Sequence, residues 1–131
     1  MLIAQDTTSY GIDLYGEPRL AQLLKELNKI ENLNWIRILY TYPSMFNDDL
    51  IDTIARCDKV VKYIDVPLQH ANAQVLESMH RPKMDYRAFI KKLRDKIPNL
   101  ALRTTFSEVA TVLSPGSVVK PIEAFFASAV A

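Results

Sequence analysis

Short apolar runs alternate along this chain with stretches in which apolar residues recur every three or four positions. The short runs predict β-strands at residues 2–5, 35–40, 60–66 and 100–106. The periodic stretches predict amphipathic helices at residues 18–31, after Asn47, near residues 72–80 and after Asp85. Regular alternation of strands and helices is typical of an α/β fold with parallel strands and right-handed crossovers.

Two parallel architectures fit this order of elements, an open doubly wound sheet and part of a barrel. No G-x-G-x-x-G sequence follows the first strand, so a dinucleotide-binding fold has no support. The 131 residues are too few for a closed barrel, which typically needs about 250 residues. We therefore predict a partial TIM-type barrel with about four parallel strands over residues 1–106. Residues 107–131 hold three charged side chains and form a divergent tail of uncertain structure.

Composition narrows the possible partners and compartments. The formal net charge is +1 and no lysine–arginine cluster stands out, which argues against direct nucleic-acid binding. No apolar stretch is long enough for a membrane span and the first residues do not resemble a signal peptide, so we expect a cytoplasmic protein. The single cysteine, Cys57, excludes a disulfide framework and an all-cysteine metal site within one chain.

Alternation along the predicted strands places several polar residues on the barrel interior. Gln5 lies there on the first strand, and Arg37, Asp65 and Arg103 lie there on the next three. A buried charge costs several kcal/mol unless it is paired, so we expect an Arg–Asp–Arg cluster. Such a cluster is either a structural ion network or a pocket for an anionic or zwitterionic ligand such as an amino-acid carboxylate. Barrel sites form at the carboxyl ends of strands, which here carry Gln5-Asp6, Tyr42-Pro43, Gln69-His70 and Thr105.

Five stretches of the sequence, taken in order, resemble the radical S-adenosylmethionine methylthiotransferases. They are residues 3–16 (IAQDTTSYG followed by DLYG), 35–43 (WIR and YTYP), 63–70 (YIDVPLQH), 79–82 (MHRP) and 102–106 (LRTTF). The residues of these motifs are most similar to those of the branch that modifies an aspartate of a ribosomal protein, the RimO group. The transfer-RNA branch of the same family is an alternative.

The resemblance implies a radical S-adenosylmethionine barrel, a 4Fe-4S cluster and methylthiolation of an aspartate on a small-subunit ribosomal protein. We predict that polar residues of the barrel interior and of the strand ends bind this cofactor, and we assign no catalytic residue and no metal ligand to this chain. The cofactor-binding set is Gln5, Asp6, Arg37, Asp65, Gln69, Arg103 and Thr105.

Three departures from the family pattern lead us to expect a fragment that is inactive alone. They concern the cluster-binding cysteine loop, the family's continuation after Phe106, and the two domains that flank the barrel in the family, neither of which is present here. The family's Cys-x-x-x-Cys-x-x-Cys loop would lie upstream of Met1, and Ser107-Glu108-Val109 replaces the family's continuation after Phe106. Three thiolates hold such a cluster, so we expect neither the cluster nor S-adenosylmethionine to assemble on this chain alone. Open sheet edges predict self-association. The alternatives are a non-catalytic module that binds a small ligand or a protein, and an unrelated barrel lyase, which would need a strand-end lysine that is absent.

Overall fold

The fold combines short helices with a small parallel sheet. A computed structural model describes residues 1–70, 73–81 and 84–105. No helix within these ranges is long and apolar enough to cross a membrane. The described elements are the helices α1 (Ile12–Tyr15), α2 (Leu20–Asn28), α3 (Asp48–Arg56), α4 (Ala73–Ser78) and α5 (Tyr86–Lys96), the strands β1 (Tyr63–Asp65) and β2 (Ala101–Arg103), and 3-10 turns at Thr7–Ser9 and Pro43–Met45.

The two strands lie parallel, with Asp65 level with Arg103. The mixed α/β prediction is therefore confirmed. All four predicted strands were too long. The third and fourth contain only the three residues each of β1 and β2, and the first two are present as single parallel bridges, which join Leu2 to Ile38 and Ile36 to Val60. These pairings do not by themselves make a four-stranded partial barrel, and that architecture stays a prediction. The predicted tail at residues 107–131 lies outside the described residues.

Helices α3 and α5 begin where the sequence places a capping side chain. The Asn47 side chain accepts a hydrogen bond from the backbone N–H of Leu50 at 2.8 Å, which satisfies an otherwise unpaired donor at the start of α3. Asp85 does the same for α5, since it accepts from the N–H groups of Arg87 and Ala88. The helix predicted over residues 18–31 is shorter at both ends, since α2 begins after Arg19, whose side chain makes no capping hydrogen bond, and ends before Lys29.

The helices cover one face of the extended segments. Leu24 from α2, Ile51 from α3 and Leu93 from α5 are fully buried there. The extended segments contribute every second residue to the same core, namely Ile36, Ile38, Val60, Ile64, Val66 and Leu68. This face is therefore the hydrophobic core of the described chain.

The opposite face of the extended segments carries the polar residues. Asp65 and Arg103 lie on it, each next to a core residue in sequence. Exposed apolar side chains, Ile3 and Val61, lie on the neighbouring segments. The helices thus hold the segments from behind and leave this face for the candidate site.

Candidate functional site

An ion pair between neighbouring strands is the centre of the candidate site. Arg103 Nη1 lies 3.0 Å from Asp65 Oδ1 and donates a hydrogen bond to it. The side chain of Asp65 is 3% exposed, whereas that of Arg103 is 59% exposed. The hydrogen bond from Arg103 to Asp65, together with the negative charge of that carboxylate, raises the pKa of Arg103. The guanidinium therefore stays charged and keeps its remaining N–H donors toward solvent.

Arg37 takes a different partner from the predicted one. Its guanidinium carbon lies 4.1 Å from the centre of the Tyr63 ring, a cation–π contact. Its Nε is buried and makes no hydrogen bond within the described residues. Arg37 thus brings a second positive charge to the polar face.

The predicted Arg–Asp–Arg cluster is therefore only half formed. Within the described residues Asp65 has Arg103 as its ion-pair partner and Arg37 does not join them. The strand register explains this result. Since Ile36 is bridged to Val60, Arg37 is level with Val61, which precedes Asp65 by about 13 Å at roughly 3.3 Å per residue. Tyr63 lies between the two and receives the guanidinium instead.

Two further predicted residues meet at the carboxyl ends of the segments. The backbone N–H of Gln69 donates to the carbonyl oxygen of Thr105 at 3.0 Å. Gln69 is half-buried, and Thr105 is exposed. This contact extends the pairing of β1 with β2 toward the same edge as Asp65 and Arg103.

The predicted site residues of the first segment, Gln5 and Asp6, do not join the ion pair. Gln5 is exposed and does not join the ion pair. Asp6 caps the first 3-10 turn, since its carboxylate accepts from the backbone N–H of Thr8 at 2.9 Å and also from the Thr8 hydroxyl. The Asp6 carboxylate therefore makes its hydrogen bonds within the 3-10 turn that it caps.

Sequence reasoning missed two threonines that fix the backbone around the site. Thr41 donates from both its hydroxyl and its N–H to the carbonyl oxygen of Asp65, at 2.8 and 3.0 Å. Thr7 donates from its hydroxyl to the carbonyl oxygen of Leu39 at 2.6 Å and from its N–H to that of Tyr40 at 2.9 Å. The available signal was the position of both threonines close to the end of a predicted strand, where a hydroxyl can bond to the backbone.

The side chains present suit a carboxylate ligand and do not suit an iron–sulfur cluster. The sequence has a single cysteine, Cys57, at the end of α3, and burial raises the pKa of its thiol. Within the described ranges no group of three metal-ligating side chains comes together. In contrast, the exposed guanidinium of Arg103 can bind a carboxylate through two parallel hydrogen bonds.

Comparison with known proteins gives this site a family context. No model of a known protein family matches the chain. Curated proteins named ribosomal protein uS12 methylthiotransferase RimO are similar to it over 108 residues, with 53% identity in Desulforamulus reducens and 55% in Clostridium botulinum. A third, from Heliobacterium modesticaldum, is 51% identical over the same length. Each match covers 81% of this chain and 24% of the relative, so the chain spans about a quarter of the length of these relatives. Over that segment the chain is homologous to the ribosomal protein uS12 methylthiotransferases, which confirms the family resemblance of its motifs.

Proposed function

We propose that this chain is the cofactor-facing part of a radical S-adenosylmethionine barrel in a methylthiotransferase that modifies an aspartate of ribosomal protein uS12. The observation that carries the proposal is the buried Asp65 paired with the exposed Arg103, within a segment 51–55% identical to such enzymes. The parallel bridges from Leu2 to Ile38 and from Ile36 to Val60 support a partial barrel of four strands. By itself the chain does not catalyse this reaction.

In this proposal Arg103 binds the carboxylate of the amino-acid part of S-adenosylmethionine. Asp65 orients the guanidinium through Nη1 and leaves the other N–H donors for the ligand. Arg37 adds a second positive charge on the same face, and the N–H of its buried Nε is available to donate a hydrogen bond. Gln69 and Thr105 lie at the edge of the site. The bound cofactor supplies the radical chemistry in the family, and this chain positions it.

Inactivity of the isolated chain follows from its donor set. A 4Fe-4S cluster needs thiolate ligands, and one buried cysteine does not supply them. We expect anaerobic incubation with iron and sulfide to leave the chain without the visible absorption of a thiolate-bound cluster. A Cys57→Ser variant is the control and should give the same spectrum. A stable cluster with about four iron atoms per chain would contradict this part of the proposal.

Cofactor positioning is tested separately by titration with S-adenosylmethionine. No complex of S-adenosylmethionine with a cluster is expected on this chain, but its side chains alone should bind the free compound weakly, with Kd on the order of 1 mM, which two-dimensional NMR detects. Arg103→Gln should abolish the shift changes and Arg103→Lys should retain part of them. The matched control is Arg56→Gln, which removes the same charge from an exposed arginine at the end of α3 and should bind as the wild type does. Equal binding by the Arg103 and Arg56 variants would contradict the proposal.

A non-catalytic ligand-binding module is the second candidate. The pairing of a buried carboxylate with an exposed guanidinium favours it as well, because this arrangement binds a carboxylate without any metal. Titration with methionine and with unrelated amino acids separates the two candidates. A cofactor-facing site prefers S-adenosylmethionine, whereas a general amino-acid site binds these ligands alike. The transfer-RNA branch is a further alternative, which an assay of the whole relative on uS12 and on transfer RNA would decide.

A further inference from the structure

Two residues at the carboxyl ends of neighbouring segments have a backbone that side-chain-bearing residues rarely adopt. Tyr40 has φ 54° and Gln69 has φ 70°, both in the left-handed region that favours glycine. Such residues persist when the surrounding structure fixes them, and they concentrate at functional sites. Gln69 already belongs to the predicted site, whereas Tyr40 has no assigned role.

Hydrogen bonds on both sides of Tyr40 hold it in this conformation. Thr7 donates to the carbonyl oxygens of Leu39 and of Tyr40 itself, at 2.6 and 2.9 Å. On the other side, the N–H of Thr41 donates to the carbonyl oxygen of Asp65 at 3.0 Å. The backbone of Tyr40 is thus tied to the first segment and to β1 together.

The left-handed backbone keeps the Tyr40 side chain out of the core. Ile36 and Ile38 are 2% and 1% exposed, and alternation along the strand would place Tyr40 third in this buried row. Tyr40 is instead 49% exposed. Tyr40 directly precedes Thr41, whose N–H is bound to the carbonyl oxygen of Asp65, the ion-pair partner of Arg103. Within the described residues, the Tyr40 hydroxyl and ring have no hydrogen-bond or aromatic partner.

We propose that Tyr40 is a ligand-contacting residue, and that its ring forms one wall of the Arg103 site against the carboxylate-bearing ligand bound there. This inference rests on the proposed function, since it assigns a further contact to the same site. The left-handed backbone of Tyr40 costs stability and its half-exposed ring gains nothing from the core, so the contribution of Tyr40 lies in binding.

The test separates a binding role from a structural one by substituting glycine. Glycine favours φ near 54°, so Tyr40→Gly should keep or raise Tm while it removes the ring. The control is Asn99→Gly, which relieves the same kind of backbone at φ 57° on an exposed residue before β2. NMR titration with S-adenosylmethionine is expected to show about tenfold weaker binding by Tyr40→Gly and unchanged binding by Asn99→Gly. Tyr40→Phe shows whether the hydroxyl or the ring makes the contact.

The outcomes distinguish this inference from the proposed function. If the wild type and Tyr40→Gly bind equally well, and Arg103→Gln abolishes binding, the proposed function stands and the role of Tyr40 is refuted. If the wild type shows no shift changes at several times the expected Kd, both are refuted together. Weaker binding by a Tyr40→Gly protein whose Tm is maintained supports both.

Discussion

Truncation of a single leucine on α2 tests whether the helix side of the sheet is a true core. Leu24 is 0% exposed and belongs to the cluster of buried residues behind the strands. Leu24→Ala should lower the free energy of unfolding by about 3 kcal/mol, because it removes buried methyl groups and leaves a cavity. The total stability of a domain of this size is roughly 5–15 kcal/mol, so a large part of it would be lost. The expected fall in Tm is about 10 °C.

The same substitution at an exposed leucine provides the control. Leu14 on α1 is 70% exposed, so Leu14→Ala should change the free energy of unfolding by less than about 0.5 kcal/mol. Urea unfolding followed by far-ultraviolet circular dichroism gives both values from the transition midpoints, provided that the slopes of the transitions agree.

A small effect at Leu24 would refute the packing described above. If Leu24→Ala and Leu14→Ala lose similar amounts of stability, or if Leu24→Ala loses less than about 1 kcal/mol, then α2 does not cover the sheet in solution. The site residues would then lack their support, since Ile36, Ile38 and Ile64 share the core with Leu24.

Two further predictions concern the surroundings of the site and the dependence of stability on pH. Thr41→Val keeps the shape of a buried side chain but removes its 2.8 Å hydrogen bond to the carbonyl oxygen of Asp65. Urea unfolding should therefore show a free energy of unfolding that is lower by about 1 kcal/mol. No loss would mean that this bond does not form in solution. Burial raises the pKa of Tyr86 above its ordinary value of 10.0. The unfolded chain therefore releases this proton first, and Tyr86 makes stability fall as the pH rises past 10. Tyr86→Phe should reduce that fall, and an unchanged pH profile would contradict it.

Local signals predicted the helices well because each is set by neighbouring residues. Asn47 and Asp85 are capping residues in the sequence and in the structure. The 3-10 turns and α1 escaped prediction, since elements of three or four residues are too short to show a period. Residues 71–72 and 82–83, within or beside the predicted helices, lie outside the described ranges.

The site was predictable as a set of positions and unpredictable as a set of contacts. Alternation placed Arg37, Asp65 and Arg103 on one face, because it depends on the strand period alone. Their pairing depends on the register between strands, which the alternation within any one strand does not determine. One offset decides the outcome, since Asp65 is level with Arg103 whereas Arg37 is level with Val61. The exposed position of Tyr40 was not predicted for a related reason, since strand alternation cannot anticipate a residue that leaves the extended conformation.

The unequal burial of the ion pair follows from the position of its strands and determines how the site works. Asp65 lies between two neighbours, because its carbonyl oxygen accepts from Thr41 on one side and its strand pairs with β2 on the other. Arg103 extends from β2, and its side chain is more than half exposed. Asp65 is therefore the fixed partner, and Arg103 presents its free donors to solvent. A ligand carboxylate can bind those donors while the bond to Asp65 persists, so the buried carboxylate is never left without a partner.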